Sequence, residues 1–166
     1  MKYYAHSTDG PEEEWQGLAE HLRETAELAG AFAAAFNSQA WAYLAGLLHD
    51  LGKYTLEFLR RLHGGPRVDH SLAGALEVME YLKKAGYPSS LGRVMAQVIS
   101  AHHAGLTDGE IWESRLAKSD RIPDYSAWTS EINLPPRPAP PLVRPRTFMV
   151  RPFFCSRPRL FPAGGA

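Results

Sequence analysis

Ten of the thirteen prolines in this 166-residue chain lie after Arg121, and that skew divides the sequence into two stretches that cannot fold alike. Proline removes a backbone donor and clashes with the preceding helical turn, so a segment dense in it favours extended, polyproline-like conformations over helix. The first 120 residues, with Pro11, Pro66 and Pro88 alone, are free to be helical. Length allows one compact core and not comfortably two. The expected organisation is an all-α domain over 1–120, followed by a Pro/Arg-rich tail over 121–166 that is either disordered or a disrupted remainder of the domain.

Helical periodicity supports this division. Pro11 followed by Glu12, Glu13 and Glu14 opens the first helix, because acids suit its positive end. Trp15, Leu18, Leu22, Ala26, Phe32 and Phe36 continue it at helical spacing. Ser38 is a candidate cap for a second helix, in which Trp41, Leu44, Leu47, Leu48 and Leu51 are apolar and which Gly52 stops. A short helix over roughly 55–63 ends at Gly64-Gly65-Pro66. A fourth runs from Asp69 to Gly86, a fifth starts at Ser89 or Ser90 with Leu91, Val94, Val98 and Ile99 on one face, and a sixth covers about 108–118. No segment alternates with period two.

Composition excludes several classes. One cysteine, Cys155, permits neither a disulfide framework nor a cysteine-based zinc knuckle, and fits a reducing cytoplasm. The N-terminal MKYYAHSTDG lacks an apolar signal region, and no run approaches a membrane span. A soluble cytoplasmic protein is expected. Net charge is zero, yet 121–166 holds seven arginines against Asp124 and Glu131. That excess could attract a polyanion, or could simply be solvated.

Placement makes the histidines informative. His49-Asp50 ends a strongly apolar helix in LAGLLHDLGKY, His102-His103 ends another in VISAHHAGL, His70 opens the helix beginning DHSLAGA, and His21 falls in the middle of the first helix. Helix ends are where a bundle gathers side chains from separate elements around one pocket. Imidazoles with a carboxylate suit divalent first-row metals, and a carboxylate can bridge two ions, a good clamp for attack at phosphorus. Each residue alone also has a plainer reading: His102 as a hydrogen-bonded core residue, His21 as a solvent-facing one, and the His-Asp pair as coincidence. Their combination and order point to a metal site.

With these motifs in hand, the order His21, His49-Asp50, His70, His102-His103 resembles the HD nuclease of CRISPR-associated type I systems, a branch of the HD phosphohydrolases that works with a superfamily 2 helicase. YAHS at 4–7, LLHDLGKY at 47–54, DHSLAGA at 69–75 and ISAHHAGL at 99–106 carry the likeness, which covers about residues 1–115. The resemblance implies an HD-domain helical bundle with a metal site where helix ends converge. His21, His49 and Asp50 would hold one metal, and His70, His102 and His103 the second, with Asp50 bridging. The ions implied are divalent, up to two, drawn from Mn, Ni, Co, Fe or Mg. Catalytic roles fall to Asp50 and to Lys53, which is placed to neutralise a phosphate oxygen or, equally, to complement a helix C-terminus. His6 and Ser7 would lie beside the pocket, against nucleic acid; His63 has no matching role and reads as surface.

The chain departs from that family late. The family carries a further Asp, in a segment resembling LVDAD, that completes the first metal site, and no such motif occurs here. A reading frame shifted or truncated near residue 151 would account for its loss, and weaker occupancy of the first metal site is the expected consequence. The resulting expectation is a monomeric metal-dependent nuclease cutting single-stranded DNA in CRISPR antiviral defence. Without a phosphate-binding G-x-x-x-x-G-K-[ST] loop it would rely on a partner helicase and an RNA-guided surveillance complex. Hydrolysis of small nucleotides, or a catalytically impaired remnant that only binds, are the alternatives.

Overall fold

Two helical hairpins packed side by side form the body of the molecule. They are seen in a computed structural model that describes residues 1–103 and 105–139. In the first hairpin α1 (Leu18–Ala33) runs against α2 (Gln39–Leu48); after a short α3 (Leu56–Leu62), α4 (Ser71–Lys84) and α5 (Ser89–Ser100) form the second. Helix α6 (Gly109–Leu116) follows, and 3-10 turns at Leu51–Lys53 and Ser126–Ser130 join the path. No helix among the described residues is long and apolar enough to cross a membrane.

Helix α2, apolar nearly all round in QAWAYLAGLL, occupies the centre, as such a helix must. It touches α1 on one side and α4 and α5 on the other. Leu44, Leu47 and Leu48 are fully buried there with Leu18, Leu22 and Ala26 of α1 and with Val78 and Leu82 of α4. Truncating one such leucine to alanine costs about 2–5 kcal/mol. Helix ends obey local chemistry. The Thr55 hydroxyl accepts from Phe58 N at 3.1 Å, and Asp108 accepts from Ile111 N at 2.9 Å. Gly86 takes a left-handed φ of 78° at the end of α4, letting Tyr87 N reach back to Leu82 O.

Two expectations about the first helix need correcting. Pro11 and the three glutamates start only a 3-10 turn, Glu12–Glu14, which has no side-chain cap and ends at an extended Trp15. A two-residue strand β2 (Gln16–Gly17) then pairs antiparallel with β1 (Tyr4–His6), so α1 begins at Leu18 and His21 lies in its first turn. The ribbon is too short to show period-two alternation. Apolar spacing also overstates burial: Phe32, Phe36, Val94 and Val98 keep helical register but are exposed.

The packing also continues past residue 120. Trp128 and Ile132 belong to the core, and the chain beyond them lies across the bundle as an extended strap. Tyr81 Oη donates to Pro135 O, Tyr87 Oη to Pro138 O, and Trp41 Nε1 to Ala139 O. Proline lacks a donor but keeps its carbonyl, so a proline-rich segment can satisfy tyrosine and tryptophan donors from a helical surface. The prolines here set an extended backbone, not a detached tail. Cys155, the arginines after residue 140 and the proposed frame change near 151 lie outside the described residues.

Candidate metal centre

Hairpin topology explains why histidines so far apart in sequence meet. In an antiparallel pair the start of the first helix and the end of the second share one end. For α1 and α2 these positions are His21 and His49; for α4 and α5 they are His70 and His102-His103. Two glycines press the hairpins together there. A Cβ on Gly74 would fall on the carbonyl oxygen of Leu48, and one on Gly52 on that of His70, so only glycine lets α4 begin directly against the turn that carries His49 and Asp50.

Asp50 lies between the hairpins, 2% exposed. Its Oδ2 is 3.2 Å from His21 Nε2, 3.1 Å from His49 Nε2 and 2.8 Å from Lys53 Nζ. Its Oδ1 is 3.2 Å from both His70 Nε2 and His102 Nε2, and His103 Nε2 lies 3.0 Å from His70 Nε2. All six residues expected at the metal site are thus brought together. They fall into the two expected groups, His21-His49-Asp50 and Asp50-His70-His102-His103.

Hydrogen bonds behind the rings decide what their front atoms can do. His49 Nδ1 donates to Gly46 O and His102 Nδ1 to Ile99 O, each at 2.7 Å, and His70 Nδ1 points at Val68 O at 3.3 Å. A carbonyl only accepts, so in the neutral ring Nδ1 carries the proton and Nε2 presents a lone pair to Asp50. The first two carbonyls are unpaired last-turn acceptors three residues before each histidine, an arrangement any histidine just past a helix end can reach.

Lone pairs facing one another and a carboxylate are repulsive unless a proton or a cation lies among them. Oδ1, though close to two imidazoles, makes no aligned hydrogen bond to any protein group. Nitrogen ligands about 2.1 Å from a common ion would stand roughly 3.0–3.4 Å apart, and His103–His70 and His21–His49 are 3.0 and 3.3 Å apart. The donor set therefore fits divalent metals. Burial by itself would raise the Asp50 pKa, but the surrounding imidazoles outweigh it and hold the carboxyl far below its usual range.

Lys53 is buried and clamped, with Nζ donating to Ala5 O at 3.0 Å as well as contacting Asp50. Two of its three protons are thus committed, one to the Ala5 carbonyl and one to the carboxylate. The small ribbon has a purpose here: β1 delivers the Ala5 carbonyl and sets His6 edge-on to His21, ring centroids 5.1 Å apart. His6 and Ser7 line a cleft of about 850 Å³ whose walls include Lys53, His70 and His103. Burial, Lys53 and His21 together lower the His6 pKa, and burial with His102 and His70 lowers that of His103. His63 is half exposed, packed on Trp15 near Glu12.

The same cleft holds residues the sequence did not single out. Arg61, Arg67 and Arg115 line it, and Arg115 pairs with Asp69 at 3.0 Å. No second carboxylate joins the His21 side among the described residues. Glu131, one of two late acids, is held elsewhere: its Oε2 accepts from Tyr54 Oη at 2.9 Å and its backbone carbonyl from Arg23. Asp124 is used locally, accepting from Ser126 N.

Comparison with known proteins matches residues 18–138 to the HD domain. The chain belongs to the HD domain family. The match takes in the strap as well as the helices, so the domain extends past residue 120. The HD domain is also similar over 89 residues, at 39% identity, to Ribonuclease Y of Chlorobaculum tepidum; that stretch is 53% of this chain and 14% of the relative, so the chain spans about one-seventh of that protein. HD domains bind divalent metals, and the histidines around Asp50 give this one a matching site. The cluster around Asp50 is the kind of donor set that a metal-dependent hydrolase of the HD type requires.

Proposed function

We propose that this HD domain is a nuclease cutting phosphodiester bonds in single-stranded DNA as part of CRISPR antiviral defence, in the cytoplasm. A superfamily 2 helicase and an RNA-guided surveillance complex would present the strand to a monomer of this chain. The observation that carries the reading is Asp50. A single buried carboxylate turns each oxygen toward a separate group of imidazole nitrogens, beside a cleft open to solvent. The local contexts LLHDLGKY, DHSLAGA and ISAHHAGL favour the CRISPR branch over other HD phosphohydrolases.

His21, His49 and Asp50 would hold one ion, and Asp50, His70, His102 and His103 the other. Such a pair supplies activation of water at neutral pH and neutralisation of charge at phosphorus. The chain's own residues prepare the site. Gly46 and Ile99 carbonyls fix the His49 and His102 tautomers, and Lys53 holds the Asp50 carboxylate in register. His6 and Ser7 border the route by which a strand reaches the centre.

Likeness to a protein named Ribonuclease Y favours a second reading, in which the strand is RNA. The experiment that separates these readings offers the Mn²⁺-loaded protein a single-stranded DNA, an RNA of the same sequence and a deoxynucleoside triphosphate. Cleavage of the DNA, lost in Asp50→Ala, is the expected result. RNA cleavage alone would move the substrate to RNA, and triphosphate hydrolysis alone would make this a small-nucleotide enzyme. No turnover with Mn²⁺, Ni²⁺, Co²⁺ or Mg²⁺ would leave a binding module.

A further inference from the structure

We propose that Arg61 and Arg67 form a docking subsite for a backbone phosphate flanking the scissile one, on the His70–His103 side of the centre. The proposal rests on the reading of this chain as a nuclease, and it adds how the strand is held. Both arginines line the same cleft as His70, His103 and Lys53. The chain folds them into the same place by a specific reversal. Gly64 N returns to Arg61 O and Gly65 N to Arg60 O, and Gly64 takes a φ of 91°, so the loop turns back after α3 and brings Arg67 toward Arg61.

What sets these two apart from their neighbours is the absence of a partner among the described residues. Arg60, on the same helix, faces solvent and lies 3.6 Å from Glu57. Arg115 is spent on Asp69, the Ser71 hydroxyl and Ser100 O. Asp69, the acid that lines the cleft, is paired by that contact at 3.0 Å. Among the described residues no acid pairs with Arg61 or Arg67. A guanidinium is a planar fork of donors matched to phosphate oxygens, and two unpaired forks in a concavity beside a cluster built for phosphorus chemistry suit a polyanion. The remaining wall, with Leu62, Val68 and Ile111, is apolar and can lie against a sugar or base. A lone diester has no phosphate to place there, whereas a strand has.

Arg61→Gln/Arg67→Gln tests this, with Arg60→Gln/Arg93→Gln as a control that removes equal charge from outside the cleft. Two readouts are needed: binding of a fluorescent single-stranded 12-mer by anisotropy across a salt series without metal, and Mn²⁺-dependent hydrolysis of the 12-mer against bis(p-nitrophenyl) phosphate. The cleft variant should bind the 12-mer about tenfold more weakly or worse, with a salt slope shallower by roughly 1.4 for two lost contacts. Its hydrolysis of the small diester should stay within about twofold of the parent, as should every readout of the control. Unchanged binding and slope in the cleft variant, or equal losses in the control, would overturn the subsite. If the parent binds the strand yet hydrolyses neither substrate, the nuclease reading fails while the binding arm still decides the subsite.

Discussion

The two sides of Asp50 are built by the same device and finished differently. Each is an antiparallel helical hairpin that brings an early and a late histidine to one end. On the α1–α2 side, Oδ2 meets two imidazoles and also the Lys53 ammonium at 2.8 Å, so a resident cation already neutralises that oxygen. On the α4–α5 side three imidazoles gather around Oδ1, which has no hydrogen-bond donor of its own. Like charges repel, and a carboxylate oxygen shared with an ammonium is a poorer ligand than a free one. One carboxylate can thus present a stronger and a weaker metal position.

Removing one imidazole from each side should break the symmetry outright. His102→Ala is expected to weaken the tighter metal-binding event by more than about a hundredfold and to abolish hydrolysis with it. His49→Ala should leave that event in place and weaken only the second. Isothermal titration with Mn²⁺ reads both, and equal losses in the two variants would erase the distinction drawn here. Lys53→Met probes the difference from its other end. It strips a buried charge of its partner and leaves the Ala5 carbonyl without its donor, at a cost of roughly 3 kcal/mol. Urea denaturation of the metal-free protein measures it, and a loss under about 1 kcal/mol would mean the clamp is dispensable. Gly74→Ala forces the hairpins apart where α4 meets Leu48; overpacking there should cost about 1–3 kcal/mol and loosen metal binding at the His70 side.

The smallest expected effect is on pH. Burial alone would lower the His102 pKa, but the Asp50 carboxylate 3.2 Å away and the Ile99 carbonyl raise it. A raised imidazole contributes stability that is fully present below its unfolded pKa, about 6.5, and disappears as pH rises through the folded value. Metal binding runs the other way, because its ligands must be neutral. The gap in melting temperature between metal-loaded and metal-free protein should therefore widen as pH rises from about 5.5 to 8. A gap independent of pH would mean that the histidines are not the ligands.

Much of the site was legible in the sequence because its residues sit at helix ends, and helix ends are what periodicity and glycine stops mark. His49-Asp50, His70 and His102-His103 could be placed that way. His21 could not: Pro11 and the glutamates before it imitate a helix start, and only the pairing of Tyr4 with Gly17 shows α1 beginning at Leu18. The strap was misread because proline density reports backbone conformation and says nothing about what lies beneath. Trp41 and the tyrosine donors that hold the strap come from elements distant in sequence. Arg61 and Arg67 stayed invisible for a related reason: the sequence does not tell which arginines have acidic partners. Lys53 had two readings from its position, phosphate contact or helix dipole, whereas its place against Ala5 depends on the ribbon.

Anomalous diffraction from crystals grown with Mn²⁺ tests the bridging role of Asp50 most directly. Two peaks roughly 3.5–4 Å apart, one on each oxygen of Asp50 and the stronger beside His70, His102 and His103, are the predicted result. No peak at Asp50, or a lone one confined to the His21–His49 side, would contradict it.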